Sequence, residues 1–286
     1  MSTFLIFGAS GATGRLLLAR LRERGDAVHA VSRRERAGTQ RLSWIVGDLH
    51  RGLGVPAAAY DVIVSLGPLE AFAAWLASAA APAARRVVAL SSMSADSKRD
   101  SPDAAERALA ERLLAAEARL AAAAAARGAD WTILRPTLIY GDGGDASLAP
   151  IARFARRWHL MPVPVGATGL RQPVHAADLA EAVLSSAESA AARNRIYALG
   201  GGERLSFRRL LLRMRAALPG LTLPVPMPLW LLRLPGPWRA RGSIAAVARL
   251  RQPLLADNAA AAADFGYAPR RFDAAAAVAE PVQRLR

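Results

Sequence analysis

The amino-acid sequence predicts an α/β protein: a doubly wound parallel sheet carrying a small C-terminal lobe. Three observations lead there. Apolar runs of strand length alternate with helical stretches, the pattern of βαβ units. A strand, a glycine-rich turn and a helix follow one another at the N-terminus. After Pro136 the texture changes, with Gly141, Gly143, Gly144, Pro150, Pro162 and Pro164 punctuating shorter elements.

Taken in order, the predicted strands are Thr3–Phe7, Ala27–Val31, Ser43–Val46, Val62–Ser65, Val87–Leu90, Thr132–Leu134 and Arg195–Ala198. Each is an apolar run of the length a buried strand needs. The predicted helices are Gly14–Arg24, Leu69–Ala80, Ala104–Arg127 and Ser206–Ala217. The third is so rich in Ala, Leu, Glu and Arg that propensity alone nearly dictates it, and Gly128 marks its end. Residues 1–140 read as the first part of the core. Residues 141–286 read as its remaining elements interleaved with the lobe, forming one unit overall. Leu221–Trp238 is apolar but broken by five prolines and Arg233, so it cannot be a regular membrane-spanning helix. It reads as part of the lobe or, alternatively, as a patch meeting a membrane surface.

Composition narrows the function. The 286-residue chain has no cysteine and four scattered histidines, so no metal site is expected and cofactor chemistry would be organic. Its formal charge of +15 is carried almost entirely by arginine: Lys98 is the only lysine among 38 basic residues. These residues are spaced along alanine-rich helices without a recognisable nucleic-acid module, so a nucleic-acid partner is not expected. Met1 to Phe7 lack a cationic flank and do not read as a secretory signal, which leaves a cytoplasmic location as the expectation.

The informative motif is Gly8-Ala9-Ser10-Gly11-Ala12-Thr13-Gly14, directly after Phe4-Leu5-Ile6-Phe7. Glycines at this spacing let the backbone turn tightly and approach a phosphate, while the helix N-terminus offers free N–H groups and its dipole. Gly8, Ser10, Gly11, Ala12, Thr13 and Gly14 are therefore candidates for holding a dinucleotide pyrophosphate, which makes the sheet Rossmann-like. At the end of the second strand, an acid would bind the ribose of NAD and repel a 2′-phosphate. Ser32, Arg33 and Arg34 stand there instead and suit that phosphate, favouring NADP(H) over NAD(H). Against this reading, arginine is abundant throughout and Glu35 stands nearby.

This turn resembles that of the extended and atypical branches of the short-chain dehydrogenase/reductase superfamily, which includes NAD(P)-dependent epimerases and dehydratases. Further segments carry the resemblance: Gly47-Asp48-Leu49, Trp131-Thr132-Ile133-Leu134-Arg135-Pro136 leading to Tyr140-Gly141, Gln172-Pro173-Val174-His175-Ala176-Ala177-Asp178-Leu179, Asp257-Asn258, and Asp264-Phe265-Gly266-Tyr267. The resemblance implies that Asp48 and Leu49 lie against the adenine and that Ser65, Leu66 and Gly67 approach the ribose and nicotinamide half. A capping role for Asp48 and a plain strand exit at Ser65 to Gly67 are the other readings.

The superfamily usually moves a proton with a Tyr-x-x-x-Lys pair. None exists here, because no lysine follows Tyr60, Tyr140, Tyr197 or Tyr267 by four residues. Matching Glu111 to the glutamate that often follows this lysine puts Asp103 and Arg107 at the two positions. Ser91, Ser92 and Ser94 end the fifth strand and are the candidate catalytic residues, able to hydrogen-bond a substrate carbonyl; a strand-ending turn is the other reading. Met93 occupies the place of a third serine in related families. Lys98 reads as a substitute proton donor or a solvated lysine, and His175 as a substrate-side or structural residue. Two functions stay open: an NADP(H)-dependent oxidoreductase or epimerase-like enzyme on a small carbonyl or sugar-like substrate, and a non-catalytic NADP(H)-binding sensor or scaffold. The oligomeric state is also open, since Ala104–Arg127 reads alike in a monomer and in a dimer.

Overall fold

In the computed structural model, described for residues 1–50, 53–56, 58–141, 145, 147–228 and 249–280, apolar strand runs form one seven-stranded sheet. In chain order the elements are β1 (Thr3–Phe7), α1 (Ala12–Arg24), β2 (Ala27–Ser32), β3 (Leu42–Val46), β4 (Tyr60–Ser65), α2 (Leu69–Leu76) and β5 (Ala84–Leu90). Then follow α3 (Ser94–Ser97), α4 (Ala104–Ala126), β6 (Asp130–Pro136), β7 (Ile139–Tyr140), α5 (Ala149–Trp158), β8 (Leu160–Val165), β9 (Leu170–Arg171), β10 (Val174–His175) and α6 (Ala176–Glu188). The remainder comprises β11 (Arg195–Leu199), β12 (Leu205–Ser206), α7 (Phe207–Ala217), β13 (Leu223–Pro228), α8 (Ala259–Phe265) and α9 (Ala274–Val278). The sheet runs β11-β6-β5-β4-β1-β2-β3, and every pairing in it is parallel. Order reverses between β1 and β4, the switch point beside which ligands of such sheets bind.

Alternate residues of each strand build two separate cores, as the two-residue period requires. Phe4, Ile6, Val28, Val62, Val64 and Val88 pack with Leu17 and Leu21 of α1 and Leu179 and Val183 of α6. Leu5, Phe7, Ile63, Val87 and Ala89 pack on the other face with Phe72 and Leu76 of α2 and Leu120 of α4. Side chains such as Phe4, Leu5 and Ile6 are no more than 2% exposed, each burial worth roughly 1.5–3 kcal/mol. A third cluster, with Tyr140, Ala152, Met161, Leu210, Met214 and Phe272, forms the core of the lobe.

All seven predicted strands lie in the sheet; the helix ends differ where local hydrogen bonding intervenes. α1 begins at Ala12, two residues before the predicted Gly14. α2 stops at Leu76 instead of Ala80: Arg127 donates to the carbonyls of Leu76 and Ala81 at 2.8 Å, and also to that of Ser78, holding the chain after the helix in a turn. Ser206 is a cap outside α7, its hydroxyl accepting from the Arg209 N–H at 3.2 Å. β13 pairs in parallel with β8 and leaves Leu160, Val165, Leu223 and Val225 exposed. The part of Leu221–Trp238 from residue 229 onward lies outside the described residues. Among the described residues no helix is long and apolar enough to cross a membrane.

Candidate functional site

The site starts at the turn between β1 and α1. Gly8 has φ +78°, and a Cβ there would lie 2.9 Å from the Leu66 carbonyl carbon. At Gly14 a Cβ would lie 2.6 Å from both the carbonyl carbon and the Cα of Ala9, so only glycine lets α1 sit this close to the turn. The Gly11 N–H bonds the Gly8 carbonyl at 3.0 Å, closing the loop. No side chain caps α1 at Gly11 and its first turn carries no acid, so the N-terminal N–H groups of this 13-residue helix face outward without internal compensation. Ala12, Thr13 and Gly14 form that turn, and Arg15 secures it by donating to the Ser10 carbonyl at 2.9 Å.

At the C-terminal end of β2, the Ser32 hydroxyl accepts from the Arg34 N–H and from Arg36 Nε, both at 3.2 Å. Its own proton is left to donate. Arg36 also lies over the Trp44 ring, 5.2 Å from the centroid, which fixes its guanidinium at Ser32, while Arg33 and Arg34 are exposed. Asp48 does what a turn aspartate does, accepting from the His50 N–H at 2.8 Å, while Leu49 packs partly against the α2/α4 core. Ser65 is fully buried at the end of β4, and its hydroxyl has no partner among the described residues. Leu66 and Gly67 follow it against the glycine turn, and the space where a Cβ of Gly67 would point is open for 4 Å.

Beyond β5, the three serines behave differently. Ser91 donates its hydroxyl to Glu117, a residue of α4 that is 3% exposed. Glu117 is also held by Arg135, whose Nε donates to it at 2.9 Å and whose second nitrogen closes a bidentate pair. The other side of Arg135 grips Asp96 of α3 at 2.7 and 2.8 Å. The Ser92 hydroxyl accepts from the Ser94 N–H at 3.1 Å, a turn bond that starts α3, and Ser94 is half-buried as its first residue. Thus Ser91 has committed its only proton to a buried carboxylate.

Sequence matching placed Asp103 and Arg107 at the missing tyrosine and lysine positions, which lie at the start of α4. Asp103 caps α4, accepting from the Ala105 N–H at 2.8 Å, and exposed Arg107 donates to the Ser101 carbonyl at 2.7 Å. Glu111, the anchor of that match, is exposed. The buried stripe of α4 is Glu106, Ala110, Ala116, Glu117, Leu120, Ala123 and Ala124, with neither tyrosine nor lysine on it.

His175 is structural in its contacts. Its Nδ1 accepts from the Ala177 N–H at 3.0 Å and caps α6, and its ring meets Tyr140 edge-on at 5.2 Å. Burial lowers its pKa, with Arg270 acting in the same direction. Tyr140 is wholly buried, its oxygen accepts from the Asp273 N–H at 2.9 Å, and burial pushes its pKa to about 12. Tyr267 and Asn258 tie the C-terminal segment to Gly200: the tyrosine donates at 3.0 Å and the amide bonds both backbone groups at 2.8 and 3.0 Å.

The family model described as NAD(P)H-binding matches residues 8–152, from the first glycine of the turn into α5. The chain belongs to the NAD(P)H-binding family. In keeping with that membership, it is similar in fold to MoeE5 in complex with UDP-glucuronic acid and NAD, at TM-score 0.73 and 23% identity over 97% of each chain. It is likewise similar to the UDP-glucuronic acid 4-epimerase of Bacillus cereus in complex with NAD, at TM-score 0.70 and 15% identity over 97% of this chain and 95% of the other. Among curated proteins it is 26% identical over 156 residues to a UDP-glucose 4-epimerase of Vibrio cholerae, a match spanning 54% of this chain and 46% of that protein. The fold is therefore Rossmann-like and shared with MoeE5 and with the UDP-glucuronic acid 4-epimerase of Bacillus cereus.

In this NAD(P)H-binding protein, the sequence reading missed Arg36 as a partner of Ser32, and Glu117 as the partner of Arg135, a residue it had set with Pro136 on the substrate side. Arg36 was within reach of the pattern, four residues after Ser32 and therefore close in a turn. Glu117 was not, because a glutamate inside an alanine-rich helix looks the same on either face until the helix is docked.

Proposed function

We propose that the protein binds NADP(H) and acts as an oxidoreductase or epimerase-like enzyme on a small carbonyl or sugar-like substrate. The observation that carries this is the uncapped N-terminus of α1 at the glycine turn, joined at the end of β2 by the Ser32 hydroxyl, which the Arg34 backbone N–H and the Trp44-stacked Arg36 reach, with exposed Arg33 next to it in the chain. Gly8, Ser10, Gly11, Ala12, Thr13 and Gly14 would hold the pyrophosphate on backbone N–H groups. Ser32 and the three arginines would hold a 2′-phosphate, the guanidinium fork matching its oxygens. Asp48 and Leu49 would border the adenine, and Ser65, Leu66 and Gly67 the nicotinamide half. When bound, the dinucleotide supplies or accepts a hydride; this chain orients it and manages the accompanying proton. The solved neighbours named above hold NAD, so the arginine cluster is what favours the phosphorylated form here.

Fluorescence titration with NADPH and NADH tests the cofactor choice. Arg33→Asp should weaken NADPH binding at least tenfold and leave NADH binding nearly unchanged. Equal losses for the two cofactors would overturn the NADP(H) assignment. A second reading, a non-catalytic NADP(H) sensor or scaffold, is favoured by one observation: the buried stripe of α4 carries Glu106, Ala110 and Glu117 and no Tyr-Lys pair. Turnover of any member of a carbonyl panel, after binding is demonstrated, excludes that alternative.

A further inference from the structure

Lys98 is the only lysine in a chain that otherwise places arginine at every basic position. It caps the C-terminal end of α3, inside the crossover from β5 to α4 and thus on the ligand-binding edge of the sheet. Asp96 is clamped by Arg135 two residues earlier, which anchors this crossover to the end of β6. Facing it from the lobe is Arg249, whose backbone carbonyl accepts from Arg171 at 2.6 Å; facing it from α4 is Asp103, engaged in capping. Lys98 is half-buried, and among the described residues no carboxylate pairs with its amine.

We propose that the Lys98 amine is the proton-transfer group of the site, exchanging a proton with the substrate oxygen next to the nicotinamide. This rests on the NADP(H)-dependent oxidoreductase reading and names the residue that replaces the missing tyrosine. Of the other groups of the region, Ser91 gives its hydroxyl proton to Glu117, Glu117 is held by Arg135, and Glu106 receives Ser101 at 2.7 Å and pairs with Arg249, while Ser92 accepts from the Ser94 N–H and, like Ser65, keeps an alcohol proton that does not titrate near neutral pH. A guanidinium stays protonated in any protein setting, whereas a desolvated lysine titrates. Burial, followed by the neighbouring Arg249, holds the Lys98 amine below the ordinary lysine range, and Asp103 opposes this only in part. During reduction, a hydride from the bound dinucleotide, which is oxidised in turn, adds to the carbonyl carbon, and the C=O π pair moves to oxygen. Oxygen then forms an O–H bond as one N–H bond of the Lys98 ammonium breaks. The neutral amine regains its proton from water, and oxidation runs through the same transfers in reverse.

A single lysine makes the test direct. In the full chain labelled with ¹³C at lysine Cε, one side-chain resonance reports Lys98. Its titration midpoint should fall below about 10.4, the ordinary lysine value, and shift on saturation with NADP⁺. Lys98→Arg should bind NADPH within twofold of the wild type yet lose about 10²- to 10⁴-fold in turnover of a substrate the wild type converts, the range general acid–base catalysis supplies. Lys98→Met should match it in both respects. Normal NADPH binding with an ordinary, cofactor-insensitive lysine titration, or full turnover by Lys98→Arg, overturns the Lys98 assignment alone. Absence of NADPH and NADH binding by the wild type overturns the functional reading along with it.

Discussion

Replacing Gly14 with alanine sets two physical effects against each other. Gly14 lies in the first turn of α1, where alanine is favoured over glycine by about 1 kcal/mol on helix propensity. Packing opposes this, because the new Cβ would stand 2.6 Å from the Ala9 carbonyl carbon and Cα and nearer still to the Gly8 oxygen. Non-bonded carbons are comfortable at about 3.5 Å, so the helix start must retreat by roughly 1 Å. Such overpacking costs about 1–3 kcal/mol, leaving a net loss of roughly 0–2 kcal/mol and a melting temperature lower by up to about 8 °C. The same movement carries the helix N–H groups away from the pyrophosphate. Losing one hydrogen bond to a charged acceptor, about 1.5–3 kcal/mol, weakens NADPH binding roughly 10- to 100-fold. NADPH fluorescence titration and a thermal melt on the same sample measure both quantities. Gly67→Ala, where a Cβ meets nothing within 4 Å, should melt like the wild type. A Gly14→Ala protein that melts higher than the wild type and binds NADPH unchanged would refute the argument.

Glu117→Leu leaves Ser91 without its acceptor and Arg135, 12% exposed, with Asp96 alone, so denaturant unfolding should show a loss of about 3 kcal/mol or more; Glu117→Gln, which keeps an acceptor for Ser91, should lose less. Equal stability of all three proteins would mean that the network holds nothing. His175 has its folded pKa lowered by burial and by Arg270, so the native state prefers the neutral ring: its contribution is complete above the unfolded value of about 6.5 and is lost as pH falls from there toward the folded pKa. His175→Asn preserves a side-chain cap for Ala177 without titrating, and its melting temperature should fall less than that of the wild type between pH 7.5 and pH 5.

The sheet was legible because its strands are buried on both faces and therefore appear as apolar runs, Phe4-Leu5-Ile6-Phe7 being typical. The glycine turn was legible for a different reason: Gly8 and Gly14 answer a backbone approach that no other residue permits, so the motif records a geometric necessity. The lobe was not, nor was α6 on the sheet. α5 of the lobe carries arginines at 153, 156 and 157, and α6 mixes alanine and serine with its apolar residues; neither gives a clean apolar run. The two-residue strands β7, β9, β10 and β12 are too short for any period to be seen. The ends of helices were misplaced where distant side chains decide them, as Arg127 does for α2 from the far end of α4.

The same distinction governs the catalytic question. A sequence match must choose which glutamate of α4 is the reference, and Glu106, Glu111 and Glu117 compete on equal terms in a helix made largely of alanine. Docking the helix on the sheet separates them, burying Glu106 and Glu117 and exposing Glu111. The absence of a tyrosine–lysine pair never depended on that choice; the docked helix adds that its two inward carboxylates are already bound by Arg135 or by Ser101 and Arg249. In the proposed reaction the substrate's proton then comes from outside α4, and the crossover that Arg135 fastens through Asp96 holds the chain's single lysine. The ion-pair network around Glu117 thereby acquires a role that charge counting misses: it keeps Ser91 from donating and fixes the segment that carries Lys98. Glu117→Gln should accordingly weaken turnover more than cofactor binding, and a variant that loses both in proportion would place the network in folding alone.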